Sequence, residues 1–378
     1  MRQIPRRRLA AVGACAAAAG LVVGAAVLVA LNSRGCVVEG PAASYDVELA
    51  KSFKEAAEAA GILVGAAVNP AWLRDEALYL DVATEQFSSF TPENVMKMAA
   101  TQPERGEFDF SEGDSLVEFA EGVGAVVHGH ALVWHLALPS WIEEFEGNET
   151  EWRSLLETHV KTVAGHFRGK VASWDVVNEA FTDTGYRDTI WFRHLGPGYV
   201  ADAFRWAREA DPDADLYYND FGLSGDPGKL NHVLDELEAM VDEGVPIDGL
   251  GVQAHVELNS PSNATLDACV GILKERLGQL GLKLRVSELD VSLNRDGRYC
   301  NFTDDLAAQQ EHRFRSLAAK FLSVPQLTGV TFWGFSDAHT WIPHYFHDPD
   351  WPLPFDASYR PKPAARGFLD ALLAAGGS

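Results

Sequence analysis

The chain has 378 residues, 47% of them hydrophobic and 22% charged, enough to bury one large core or two modest ones and too apolar for a disordered chain. Acidic side chains outnumber basic ones by 54 to 31, and the formal charge of −23 repels phosphate backbones and anionic lipid surfaces. Nucleic acid is therefore excluded as a natural partner, and neutral or cationic ligands are favoured.

The N-terminus stands apart. "MRQIPRRR" is basic, and the uncharged run over residues 9–33 that follows is built of Ala, Val, Leu and Gly. At about 25 residues it exceeds a usual signal-peptide core and is long enough to span a bilayer, so residues 1–36 read as a cleaved signal peptide or as a signal anchor, with possible membrane attachment through 9–33. The preceding arginines keep the N-terminus in the cytoplasm and put the remainder outside, where it is secreted or held at the cell surface. Cys36 in "NSRGC" loosely matches a lipidated cysteine, although Arg34 suits such a cleavage site poorly. In an oxidising compartment Cys269 and Cys300 are able to pair; two unrelated thiols are the equally plain alternative.

Residues 37–60 form a leader and a first helix, and residues 61–376 carry no linker or low-complexity block, which indicates a single domain. Eight short apolar or aromatic runs follow in order: 62–68, 87–94, 125–134, 172–179, 215–220, 250–256, 284–290 and 329–335. Between them lie segments of helical spacing. In "EWRSLLETHVKTVAGHF", Trp152, Leu155, Leu156, His159, Val160 and Val163 share one face, and in "GKLNHVLDELEAMVDEG", Leu230, Val233, Leu234, Leu237 and Val241 do so. Strands alternating with helices predict parallel pairing, and eight β/α units without a Gly-x-Gly-x-x-Gly turn predict an α/β fold of the closed (β/α)8 TIM-barrel type over an open doubly wound sheet.

Barrel enzymes place their reacting groups at the C-terminal strand ends, and polar residues gather there in this chain. Glu93 and Asn94 end the second run, His128, His130, Trp134 and His135 lie on the third, and Asn178 and Glu179 end the fourth. Asn219 and Asp220 end the fifth, Gln253 and His255 the sixth, Glu288 and Asp290 lie on the seventh, and Trp333 on the eighth. Each alone fits a structural role, but barrel closure aims them at one cleft. Glu179 and Glu288 then face each other across the ring, a pair suited to glycosidic bond cleavage, with aromatic rings to stack on sugar faces and amides and imidazoles to bond hydroxyls.

The blocks "FSSFTPENVMKM", "HGHALVWH", "WDVVNEAF", "YYNDFG", "GVQAHV", "SELDVS" and "TFWGFSDAHTW", in that order on successive strands, resemble glycoside hydrolase family 10 endo-β-1,4-xylanases from about residue 60 to 372. The resemblance implies hydrolysis of xylan with retention of configuration, Glu179 as general acid/base and Glu288 as nucleophile, their carboxyls roughly 5–5.5 Å apart. His255 would bond the nucleophile, and Asn178 would hold the 2-hydroxyl of the sugar at the cleavage point. His130, Trp134 and Trp333 would line that subsite under a lid formed by Trp341; Glu93, Asn94 and Lys97 would grip the next sugar towards the non-reducing end, and Gln253 would bond near the catalytic pair. Trp174 and Asp175 are assigned to packing and support.

No cofactor and no catalytic metal are implied, the partners are xylan and xylo-oligosaccharides, and a monomer is expected. The chain departs from the family pattern after "LVWH", where Ser-Gln-Leu-Pro is usual and Leu136-Ala137-Leu138-Pro139 stands here, and Met98 replaces a frequent tryptophan. Ala137 is expected to leave room for the hydroxymethyl arm of glucose. A retaining β-glucanase on the same barrel, or a surface xylan-binding protein without turnover, are the alternative readings.

Overall fold

The computed structural model describes residues 45–377. The basic and apolar leader, with Cys36, lies outside them. Nine strands form one parallel sheet: β1 (Leu63–Val68), β2 (Ser89–Pro92), β3 (Val126–Val133), β4 (Ser173–Asn178), β5 (Asp215–Asp220), β6 (Gly249–Val252), β7 (His255–Glu257), β8 (Lys283–Ser292) and β9 (Leu327–Phe332). Sequence neighbours pair except β6 and β7, which do not pair with each other; β1 also pairs with β9, and β6 pairs with β8, so the sheet closes on itself. This is the expected (β/α)8 barrel, with one difference. The single sixth run at 250–256 is broken into β6 and β7 because Ala254 adopts a left-handed φ of 60°, a conformation that cannot continue a strand.

The helices form the outer layer because their apolar stripes match the outward faces of the strands. In the helix Glu149–His166, Trp152, Leu156, His159, Val160 and Val163 are buried as the spacing predicts, while Leu155 sits at the edge. Its start is fixed by Asn148, which accepts from the Glu151 N–H while the Glu151 carboxylate takes the Asn148 N–H, a capping box worth about 1 kcal/mol. The helix Pro227–Asp242 is likewise capped by Asp226 and buries Leu230, Val233, Leu234 and Leu237. The helix Phe53–Ala59 belongs to the barrel body: Phe53 is fully buried and its ring meets Phe368 of the closing helix Pro363–Gly376 at 5.2 Å.

Inside the ring the strands present polar side chains, which continuous apolar runs do not announce. Ser173 and Asp175 of β4 face His128 and His130 of β3, and Arg285 of β8 donates to Ser89 and Thr331 at 2.8 Å each. Trp174, between Ser173 and Asp175, faces the helices instead and is wholly buried. Cys269 is a buried free thiol in the helix Asn263–Leu280 and packs into the hydrophobic core, so the pairing of Cys269 with Cys300 is not made; Cys300 is disulfide-bonded elsewhere. Among the described residues no helix is long and apolar enough to cross a membrane.

Gly129 of β3 lies against Trp174, and a Cβ at that position would stand 2.2 Å from the indole ring. Because that ring is closed in on all sides, Gly129→Ala is expected to lower stability by about 1–3 kcal/mol, read as a fall in melting temperature, whereas Gly122→Ala, where a Cβ meets nothing within 4 Å, is expected to change it little.

Candidate active site

The catalytic and sugar-binding residues implied by the resemblance all line one cleft of about 620 Å³ at the C-terminal ends of the strands, whereas His128, His135, Asn219, Asp220 and Asp290, expected to point into the same cleft, are not part of its lining. Glu288, 5% exposed, is the centre of its hydrogen-bond network. Its Oε2 meets His255 Nε2 at 3.0 Å and its Oε1 accepts from Asn219 Nδ2 at 2.8 Å. A register shift in β8 between Val286 and Leu289 brings Ser287 to the same partner, so that Ser287 Oγ donates to Asn219 Oδ1 at 2.6 Å. With its oxygen engaged by Ser287, the Asn219 amide has one orientation, NH2 towards the carboxylate, and it lies 3.0 Å from the Asn178 side-chain amide.

Glu179 stands opposite, on the loop after β4. Its backbone is left-handed, with φ of 59°, a costly conformation for a residue with a side chain. Three contacts over-determine it. Glu179 N–H donates to the Asn219 carbonyl at 2.9 Å, its own carbonyl accepts from Arg187 Nε at 3.0 Å, and the Tyr218 hydroxyl accepts from the N–H groups of Ala180 and Phe181. Tyr218 in turn donates to buried Asp220, which burial pushes up to about 6 although Lys229 and the Tyr218 hydroxyl oppose the rise. The Glu179 carboxyl itself accepts from Gln253 Nε2 at 2.9 Å. Gln253 lies at the break between β6 and β7, so the same backbone turn aims Gln253 at Glu179 and His255 at Glu288.

Charge in the cleft is set by these contacts. Burial alone would drive the His255 imidazole down, but Asp290 at 2.8 Å on Nδ1, together with Glu288, outweighs it and holds His255 up at about 10. Burial would likewise raise Glu288, yet the hydrogen bond from His255 and the neighbouring positive charge leave it below the ordinary carboxylate range. Asp290 also accepts from Trp341 Nε1 at 2.9 Å, which ties the tryptophan over the cleft to the same network. Deeper in the barrel, His128 and His130 flank Asp175, whose carboxyl they hold well below its usual value against the opposing effect of burial.

On the other side of the axis joining Glu179 and Glu288, Lys97 donates to Asn94 Oδ1 at 3.0 Å and lies 4.9 Å from the Trp134 ring centroid and 5.8 Å from that of Trp333. Burial lowers its ammonium, while Glu288, Glu93 and Glu179 draw it back up; Glu93 is raised by burial against the pull of Lys97. His130 meets Trp333 edge-on at 5.0 Å, and His255 meets Trp341 in the same way at 5.2 Å. This is a socket with aromatic walls and a polar floor, suited to a ring that carries several hydroxyls.

Asn219 and Asp290, strand-end residues to which the sequence assigns no role, both hold the charged pair. Their inward direction was the available signal; their partners on other strands were not. The cleft also includes Leu136, Phe221, Arg295, Tyr345 and Phe346 from the surrounding loops. Among the described residues no group of three or more His, Cys, Asp or Glu side chains is placed to hold a metal ion.

A barrel with two opposed carboxyls, one after β4 and one buried and held charged on β8, defines a glycosidase site. The model of glycosyl hydrolase family 10 matches residues 52–371, and the chain belongs to that family. The match takes in the helix Phe53–Ala59, in keeping with its burial in the barrel body. The chain is 39% identical over 332 residues to endo-1,4-beta-xylanase B of Thermotoga neapolitana, covering 87% of this chain and 92% of that one. Endo-1,4-beta-xylanase A of Cellvibrio japonicus is 36% identical over 342 residues, 82% of this chain and 55% of its own. Among solved structures, xylanase 10B from Thermotoga maritima superposes with a TM-score of 0.81 at 37% identity over 86% of this chain and 99% of that one. Xylanase 10B from Thermotoga petrophila, in complex with xylobiose, gives 0.80 at 37% over 87% and 98%.

The linkage between His255 and Asp290 makes a prediction with a definite sign. A histidine raised to about 10 from its ordinary value near 6.5 contributes stability that is full below that ordinary value and lost as pH rises through about 10. Asp290→Asn removes the main raising charge, so the variant is expected to melt below the wild type by an amount that is largest at pH 5–6.5 and shrinks towards pH 10. At neutral pH the loss is about 3–5 kcal/mol, the cost of breaking a buried ion pair. A difference in melting temperature that stays constant with pH would show that Asp290 acts by packing alone.

Proposed function

We infer that the protein is an endo-acting β-1,4-xylanase working with net retention through a covalent glycosyl-enzyme. The observation that carries this reading is the contrast between the two carboxyls: Glu288 buried and kept ionised by His255 and Asn219, Glu179 opposite it and bonded by the neutral amide of Gln253. Membership of family 10 and the likeness to named xylanases support xylan as the polymer.

In this mechanism Glu179 gives its proton to the glycosidic oxygen as the C1–O bond breaks, and Glu288 forms an ester to C1 from the opposite face. Water then enters, Glu179 takes its proton, the oxygen attacks C1, and Glu288 leaves as the carboxylate. His255 and Asn219 stabilise Glu288 both as the free anion and as the departing group. Asn178, beside both carboxyls, is placed to hold the 2-hydroxyl; Glu93, Asn94 and Lys97 take the next sugar, and Trp134, Trp333 and Trp341 supply stacking surfaces. The protein acts outside the cytoplasm as a monomer, a role consistent with the basic and apolar leader and with a polymer too large to enter a cell.

Reducing-sugar release from xylan by the full chain tests the reading. Glu288→Ala is expected to lower it roughly 10⁴-fold or more, by removal of the nucleophile. Glu179→Ala should cost about 10²–10⁴-fold on xylan and far less in the first step on an aryl glycoside whose leaving group needs no proton. Xylan that binds but yields no reducing ends with the wild type would instead identify a binding protein built on a hydrolase frame.

A second reading, activity on glucose-based chains, is favoured by one observation. The loop after β3 presents Leu136 to the cleft and exposes Ala137, a short side chain where the family pattern has glutamine. The ratio of kcat/KM on aryl cellobioside to that on aryl xylobioside is expected to fall about tenfold or more in Ala137→Gln, the range for crowding a small group in a pocket. An unchanged ratio would remove Ala137 from the account of specificity.

A further inference from the structure

Beside the catalytic cleft, on the side of β5 and β6, lies a second cavity of about 410 Å³, within the range of small-molecule pockets. The loops after β5 and β7 form its walls, and it opens into the cleft through Gly222, His255 and Arg295, which line both. Gly222 keeps that doorway low: its φ is 80°, and a Cβ there would meet only the Lys229 side chain at 3.7 Å. The socket of Glu93, Asn94 and Lys97 is on the far side of the axis joining Glu179 and Glu288, so this pocket flanks the part of the chain that departs.

Arg295 is the unusual residue at this opening. Besides the charged His255, which is bonded to Glu288 and Asp290, the cleft has two cationic side chains, Lys97 and Arg295. Lys97 is answered by the charges of Glu288, Glu93 and Glu179. The Arg295 guanidinium carbon stands over the Phe346 ring, 4.9 Å from its centroid, its Nε is buried without a hydrogen-bond partner, and its one ionic neighbour among the described residues, Glu257, stands off at 3.6 Å. That separation exceeds a charge-assisted hydrogen bond of about 2.7–2.9 Å, and Glu257 is half in solvent. Asp226, the other acid lining the pocket, is occupied by the Gly228 and Lys229 N–H groups as a helix cap.

We propose that this lateral pocket is a branch site, in which Arg295 takes the carboxylate of a uronic-acid substituent on the xylan chain. The inference rests on the xylanase reading. A β-1,4-linked xylose has free hydroxyls at C2 and C3 only, so substituents leave the backbone sideways, as this pocket does. A neutral branch needs no cation; on a chain of charge −23 a locally unmatched guanidinium, held over an aromatic ring, is what admits an acidic one. Glu257 gives way to the incoming carboxylate, which forms the close contact that Glu257 does not.

The test measures kcat/KM of the full chain on three substrates: linear xylohexaose, glucuronoxylan, and the same glucuronoxylan with its carboxyls reduced to alcohols. Wild type is expected to lose about tenfold on carboxyl reduction, the worth of one charge-assisted hydrogen bond. Arg295→Gln should lose about tenfold on the native polymer and be indifferent to reduction, Arg295→Lys should fall between, and all three should agree within about twofold on xylohexaose. If Arg295→Gln discriminates the two polymers as the wild type does, or loses equally on all three substrates, Arg295 is a structural partner of Phe346 and Glu257 and the proposal fails. No turnover of xylohexaose by the wild type would overturn the xylanase reading, and this proposal with it.

Discussion

Glu288 is almost wholly removed from water and must still carry a negative charge when substrate arrives, a combination that costs several kcal/mol unless partners replace the lost hydration. Much of the upper half of the barrel is arranged around that requirement. His255 supplies a proton-bearing ring from β7, Asn219 an amide from β5, and Asp290, two residues along β8, keeps His255 charged. The Trp341 lid is bonded to Asp290, so the surface that covers the sugar and the group that attacks it share one acceptor. A change at any of these strands reaches the nucleophile within two hydrogen bonds.

The same network explains two of the places where the backbone departs from regular geometry. Glu179 and Ala254 are left-handed, and both sit where a strand must release a side chain into the cleft before its alternation would allow. The Glu179 turn is held by the Asn219 carbonyl, Arg187 and the Tyr218 hydroxyl; the Ala254 turn lies between Gln253 and His255, each bonded to one of the two carboxyls. These two of the left-handed turns oppose acid to nucleophile, and they are sustained by neighbours whose own positions are fixed in the closed sheet. Ordinary barrel packing, with helices such as Glu149–His166 clamped on the outside, supplies the rigidity that keeps those turns from relaxing.

Much of this was legible from local pattern. The runs at 172–179 and 215–220 became β4 and β5 within a residue of their expected ends, and the stripes in the helices Glu149–His166 and Pro227–Asp242 face inward as spaced. Motifs at the strand ends gave the cleft its residues, because a closed barrel leaves them nowhere else to point. Local pattern did not show the split of the sixth strand, since "LGVQAHV" is apolar enough to run straight through. Nor did it show the polar barrel interior, because Arg285, His128 and Asp175 lie within runs that read as core. The pairing of Cys269 with Cys300 was permitted by composition and is ruled out by position, Cys269 being sealed beneath its helix.

The sequence by itself determined the architecture and the chemical type of the site, because hydrophobic period, turn residues and the order of strand-end motifs are local quantities that survive in one dimension. Only the tertiary structure decided which carboxyl is held ionised, which way the Asn219 amide faces, and that Arg295 stands beside a side pocket with its charge nearly unmatched. Those are properties of groups brought together from strands tens of residues apart. Electrostatic energy and hydrogen bonding depend on separations of a few ångströms and on the loss of water, and neither is defined until the barrel has closed.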